Sequence, residues 1–129
     1  MRRILLLLMA IGLVACGGAE SPEEAAMKAA EEYYNGLKDG DYEAFLAGRA
    51  DMEGMPASFN EQLLVAYKQF VRQQEEAHVG IASFTASRAQ MDSALQMMQV
   101  FLMVNYADST QEEIVVPMVE RQGEWKMKY

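Results

Sequence analysis

The sequence predicts an α+β domain in which three N-terminal helices pack on a curved four-stranded antiparallel sheet. Three observations predict it. Apolar residues recur at helical spacing as far as Ala77, the period changes from 3.6 to about two at Gly80, and the apolar runs beyond are joined by short turns. Helices that precede the strands, instead of alternating with them, indicate an antiparallel sheet.

The first helix is expected to begin at Ser21-Pro22-Glu23-Glu24. Ser21 is suited to the N-cap, Pro22 to the first helical position, and Glu24 to the far side of a capping box. Its apolar stripe is Ala26, Ala29, Ala30, Tyr33 and Leu37, and Lys38-Asp39-Gly40 closes it. Asp41 caps a short second helix with Tyr42, Phe45 and Leu46 on one face and Gly48 at its end. After a loop from Ala50 to Ala57, Ser58-Phe59-Asn60-Glu61 forms another capping box. Behind it, Leu63, Leu64, Tyr67, Phe70 and Val71 give the cleanest helical periodicity in the chain.

Ile81 to Gln90 is expected as a strand with Ala82, Phe84 and Ala86 on one face. Met98, Val100, Leu102, Val104 and Tyr106 form the apolar face of the second strand, but Phe101 and Met103 make its opposite face apolar as well, which points to burial on both faces over part of its length. The third strand runs from Glu112 to Glu120. Pro117 within it cannot donate to a ladder, so an edge position or a bulge is expected there. Gln122-Gly123 turns the chain into a last strand whose apolar residues are Trp125, Met127 and Tyr129, with Trp125 expected between the sheet and the third helix.

The first residues are different in kind. Met1-Arg2-Arg3 is a short basic start, followed by an apolar run from Ile4 to Val14 and small Ala15. That is the pattern of a signal peptide. As a helix the run would reach roughly 17 Å, short of a hydrocarbon core about 30 Å thick. Leu13-Val14-Ala15-Cys16 resembles the lipobox of bacterial lipoproteins. The resemblance implies that residues 1–15 are a lipoprotein signal peptide, that Cys16 becomes a lipid-modified N-terminus bearing acyl chains such as palmitate, and that residues 16–21 tether the domain of residues 22–129. Gly17 in place of an aspartate favours the outer over the inner membrane.

Cys16 is the only cysteine, so disulfides, CxxC redox pairs and cysteine metal clusters are excluded. With 11 basic and 19 acidic residues the formal charge is −8; loss of Arg2 and Arg3 with the leader leaves nine against 19, or −10. Such a body repels nucleic acid.

Asp39-Gly40-Asp41-Tyr42 between the first two helices, and Val116-Pro117-Met118-Val119 leading into Gln122-Gly123-Glu124-Trp125-Lys126-Met127, resemble small lipoproteins of the nuclear transport factor 2-like, or cystatin-like, superfamily. The resemblance covers residues 22–129 and implies a cone whose mouth serves ligand binding, catalysis or no known purpose. Larger members carry an extra short strand between the second and third helices, for which only Ala50 to Ala57 is available. Relatives that act as steroid isomerases or polyketide cyclases imply an aspartate or tyrosine inside the cone. Tyr33, Tyr34, Tyr67, Tyr106 and Asp41 are the candidates, and no spacing singles one out.

His78, the only histidine, follows Glu75-Glu76 and is accounted for as a cation at a helix C-terminus. Met52 with Met55, and Met97 with Met98, are the closest pairs of soft ligands, but methionines at strand positions ordinarily fill gaps. No metal, cofactor or nucleophile motif is expected. The expected role is non-catalytic binding of a small apolar ligand or a protein partner, with Tyr33, Tyr67, Phe101 and Met103 as the ligand or partner surface. A homodimer or another envelope protein is the expected partner, and an isomerase-like or cyclase-like enzyme is the alternative.

Overall fold

The computed structural model describes residues 20–129; the leader, Cys16 and most of the tether lie outside them. Helix α1 spans Pro22–Lys38, α2 Tyr42–Ala47 and α3 Ala57–His78. Strands β1 (Ile81–Asp92), β2 (Met97–Tyr106), β3 (Gln111–Arg121) and β4 (Glu124–Met127) follow. The strands pair antiparallel in sequence order. Three helices on a four-stranded antiparallel sheet match the expected class. No helix among the described residues is long and apolar enough to cross a membrane.

Two of the helix starts form as their caps predict. The Ser21 hydroxyl accepts the Glu24 N–H at 3.1 Å, and the Asp41 carboxylate accepts that of Ala44 at 3.3 Å. The third does not. Helix α3 begins one residue before Ser58, with Pro56 at the N-cap and no side-chain bond, because the fixed φ of proline already sets the chain's entry. At its other end Val79 adopts φ 64°, an unfavourable conformation for a β-branched residue, and the Gly80 N–H returns to the Gln74 carbonyl at 3.2 Å.

The inward stripe of α1 is Ala26, Ala30, Tyr34 and Leu37; Tyr33, expected on that stripe, stands at its margin and is half-buried. Tyr34 points into the core in its place. Helix α1 packs chiefly on β1, the edge of the sheet, and supplies that edge with partners. The Asn35 amide takes the Phe84 N–H at 3.0 Å and donates to its carbonyl at 3.1 Å, while Glu31 accepts the Ala86 N–H at 2.8 Å. Glu31 and Asn35 lie one helical turn apart and Phe84 and Ala86 two residues apart on a strand, so the two spacings match at about 6 Å. A strand edge that would otherwise offer free backbone groups is thereby closed.

Register shifts between Ile81 and Ser83 and between Ala86 and Arg88 interrupt the plain alternation expected for β1. Such bulges bend a strand and add twist. Ala82 is exposed as a result, whereas Phe84 is buried and Ala89 joins Ala86 against the core. Strand β2 alternates without fault: Met98, Val100, Leu102, Val104 and Tyr106 are all buried. With Val116, Met118 and Met127 from the later strands they form the core floor. Phe101 and Met103 lie on the outer face and are half-covered, Phe101 by the Arg88 guanidinium 3.6 Å from its ring centre.

Pro117 stands where β3 is open on one side, because β4 pairs only with residues 118–121, so the expected edge position holds and no bulge is needed. It pairs with Gln99 on one side, and its carbonyl accepts the Lys128 N–H at 2.8 Å on the other. A residue's N–H and C=O share one side of a strand, so the missing donor falls where β4 ends and the ladder stops. Gln122 and Gly123, with φ 55° and 82°, make the two-residue turn into β4. Trp125 is half-buried, and β4 packs on α1, not on α3 as expected. The Tyr33 hydroxyl donates to the Trp125 carbonyl at 2.7 Å.

The segment after α2 meets β4 from the other side. Met127 N–H donates to the Gly48 carbonyl and Ala50 N–H to the Met127 carbonyl, both at 2.7 Å, around a single parallel bridge at Arg49. Gly48 permits this approach: a Cβ there would lie 2.7 Å from the Tyr33 ring.

Candidate functional site

Helix α3 lies over the concave side of the sheet without closing on it. None of its 22 residues is fully buried, and Phe70, in the middle of its apolar stripe, is 37% exposed. The space beneath is a cleft of about 610 Å³ between α3, the end of α1, α2 and strands β1 to β3. Volumes of about 300–1,000 Å³ are usual for small-molecule sites. Phe45, Phe84, Val104 and Ile114 make much of its wall apolar.

The cleft is held open by a column of rings. Phe45 meets Tyr67 edge-on at 4.8 Å and Tyr34 edge-on at 4.9 Å, and Tyr34 meets Phe84 at 5.1 Å. These are favourable aromatic geometries. They link α3 to β1 through α2 and α1, so that the helix is propped above the sheet.

Two polar clusters line the cleft. In the first, the Tyr34 and Tyr129 hydroxyls form a short hydrogen bond, the Tyr129 hydroxyl also lies 3.8 Å from the Met127 sulfur, and the Arg49 guanidinium stands 5.1 Å from the Tyr129 ring centre. Arg49 and Tyr67 line the same cleft as Tyr34 and Tyr129. The Tyr67 hydroxyl and Arg49 Nε are buried without a hydrogen-bond partner. Burial pushes the Tyr34 hydroxyl above the ordinary tyrosine range, and the Tyr129 hydroxyl is raised with it by local desolvation although the residue as a whole is 57% exposed. They therefore remain protonated at neutral pH.

In the second cluster the His78 ring stacks on Tyr106 at 3.9 Å, and His78 Nδ1 lies 3.1 Å from Asp108. The Tyr106 hydroxyl donates to Glu112 at 2.7 Å, and burial, reinforced by that carboxylate, pushes it up to about 12. A hydrogen bond from the Thr110 hydroxyl holds Asp108 below the usual carboxylate range.

Of the residues expected at a ligand or partner surface, the cleft receives Tyr67 alone. Tyr33 is engaged with Trp125 outside it, and Phe101 and Met103 occupy the outer face of the sheet. Among the enzyme candidates Tyr34, Tyr67 and Tyr106 line the cleft, while Asp41 is spent on capping α2. Arg49, Tyr129 and Glu112 were not expected there. Arg49 belongs to the loop after a short helix and Tyr129 to the end of an amphipathic strand, and neither carries a periodic signal that aims it at a cavity. Among the described residues no group of three or more His, Cys, Asp or Glu side chains is placed to hold a metal.

No family model matches the chain, and no curated protein matches it in sequence. Its backbone is similar to the crystal structure, at 2.00 Å, of a protein from Campylobacter jejuni assigned as an NTF2-like transpeptidase. The TM-score is 0.62 at 9% identity, over 78% of this chain and 94% of that one. At that identity the likeness concerns the fold alone: the chain has a nuclear transport factor 2-like α+β fold.

Proposed function

We propose that the chain is an envelope lipoprotein, held on the outer membrane through lipid on Cys16, whose domain binds a small, largely apolar molecule in the cleft under α3. One observation carries the binding reading: α3, a helix of 22 residues, sets Tyr67 and Val71 of its apolar stripe against the core and still buries nothing completely. Apolar surface left at a cleft of this size is stabilised by an occupant that removes it from water. The half-covered Phe101 and Met103 on the outer face offer a second surface, suited to an envelope protein or to another copy of the domain. Acyl transfer, the activity assigned to the C. jejuni protein, calls for a nucleophile, and the described lining of this cleft contains no serine or cysteine.

A proton-transfer enzyme is the second reading, favoured by the histidine held by Asp108 at the rim. The raised tyrosines suit it less, because a hydroxyl that keeps its proton at neutral pH donates hydrogen bonds instead of abstracting protons.

Solvent extraction of the purified full chain, followed by mass spectrometry, is expected to release an apolar molecule. Titration with dodecan-1-ol is expected to raise the melting temperature. A chain with nothing extractable and no response to the alcohol would refute the binding reading. Growth with an alkyne-bearing palmitate is expected to label the wild type and not Cys16→Ala; an unlabelled wild type removes the anchor.

A further inference from the structure

The Arg49 cluster offers more donors than acceptors, and it contains no anion. A guanidinium is permanently charged and offers five N–H groups, and its burial beside apolar walls is unfavourable unless an acceptor, best an anion, faces it. Arg49 Nε is buried and unpartnered, and no carboxylate of the described residues lies at ion-pair distance from Arg49. Asp51, on a neighbouring cleft that Arg49 also lines, is already held by Arg121 at 3.0 Å and Lys128 at 2.6 Å. The Tyr129 ring gives the cation a π face but no hydrogen-bond acceptor for Nε. Tyr67 adds a buried, unpartnered hydroxyl. Tyr34 and Tyr129 share one hydrogen bond, and the pair's second proton meets only the weakly accepting Met127 sulfur at 3.8 Å.

Resting on the binding reading above, we propose that the cleft takes an amphipathic monocarboxylic acid. Its head group is received by Arg49 and the Tyr67 and Tyr129 hydroxyls, and its apolar body lies along Phe45, Phe84, Val104 and Ile114. A carboxylate matches the fork of a guanidinium and accepts from hydroxyls at the same time. A single cation in a chain of formal charge −8 suits one negative charge better than the several of a phosphate ester. The only side-chain carboxylate on the described lining, Glu112, belongs to the Tyr106 cluster and repels the head from that side, which gives the ligand one orientation.

The test compares dodecanoate with dodecan-1-ol, equal in tail and different in head, by calorimetric titration of the purified full chain below the micelle concentration. The wild type is expected to bind the acid at least about tenfold more tightly than the alcohol, a difference of about 1.4 kcal/mol. Arg49→Gln is expected to bring the acid's affinity down to that of the alcohol. Arg49→Lys, which keeps the charge but loses the fork, is expected to fall between. Should Arg49→Gln fail to fold, the wild-type ratio and Arg49→Lys decide the matter. Equal binding of acid and alcohol by the wild type, or an acid preference that survives Arg49→Gln, overturns the head-group assignment and leaves the apolar cleft standing. Binding of neither probe overturns both.

Discussion

Helices α1 and α3 are both amphipathic and both lie over the inner side of the same sheet, yet α1 buries Ala26, Ala30, Tyr34 and Leu37 and α3 buries no residue. The difference lies in side-chain size and in what the strand edge needs. Alanines at 26, 29 and 30 let the α1 backbone come close to β1, and Glu31 and Asn35 bond directly to the strand's free groups. Helix α3 meets the rest of the domain through large rings. Tyr67 rests edge-on against Phe45, and the column beneath it fixes the separation of helix and sheet. An apolar stripe is thus a condition for burial and not a measure of it. What decides is whether the opposing surface can come within contact distance. The tightly docked helix carries stability here, and the propped one leaves a cleft beneath it.

The largest effect that sharpens this contrast is expected from leucine truncations. Leu37→Ala in α1 should cost about 2–5 kcal/mol, the range for emptying a fully buried leucine site. Leu64→Ala in α3, where the side chain is half-buried, should cost about 1 kcal/mol. Urea unfolding of the two variants measures both, and equal losses would mean that α3 is docked as firmly as α1.

Asn35→Ala comes next. It leaves the Phe84 N–H and carbonyl without partners at the edge of β1, and about 1–3 kcal/mol per orphaned group is expected. The same substitution tests whether α1 is held by bonding as well as by packing. Unchanged stability would assign its grip to the alanine contacts alone.

The smallest effect is expected away from both helices, at Asp51. Hydrogen bonds from Arg121 and Lys128 lower its carboxyl from 3.8 to about 2. A carboxyl depressed in the folded state adds stability that is fully present above its unfolded value and is lost as pH falls through the folded one. Wild type should therefore melt slightly above Asp51→Asn at neutral pH, and the gap should close between about pH 4 and pH 2. The group is solvent-exposed and screened, so the shift stays small. A gap that persists at pH 2 would show that the contact with Arg121 does not depend on charge.

Much of the architecture was legible because it is local. Ser21 and Asp41 announce helix starts by bonding three residues ahead, Gln122-Gly123 announces a hairpin by its positive φ angles, and the even-numbered residues of β2 alternate as a one-faced strand must. Each of these signals lies within a few residues of the feature it specifies. Tertiary structure alone decided the rest. The alanine-rich stripe of α1 fits two adjacent faces equally well, so nothing short of packing could choose Tyr34 over Tyr33 as the buried ring. Bulges in β1 moved Ala89 onto the core side, and the length of β4 decided where β3 is left open for Pro117. The Arg49 cluster draws Tyr34, Arg49, Tyr67 and Tyr129 from four separate segments. Hydrophobic period reports which face of one element turns inward, but it carries no information on which inward-turned residues of distant elements meet. That depends on the distance at which rings and alanines let those elements come to rest.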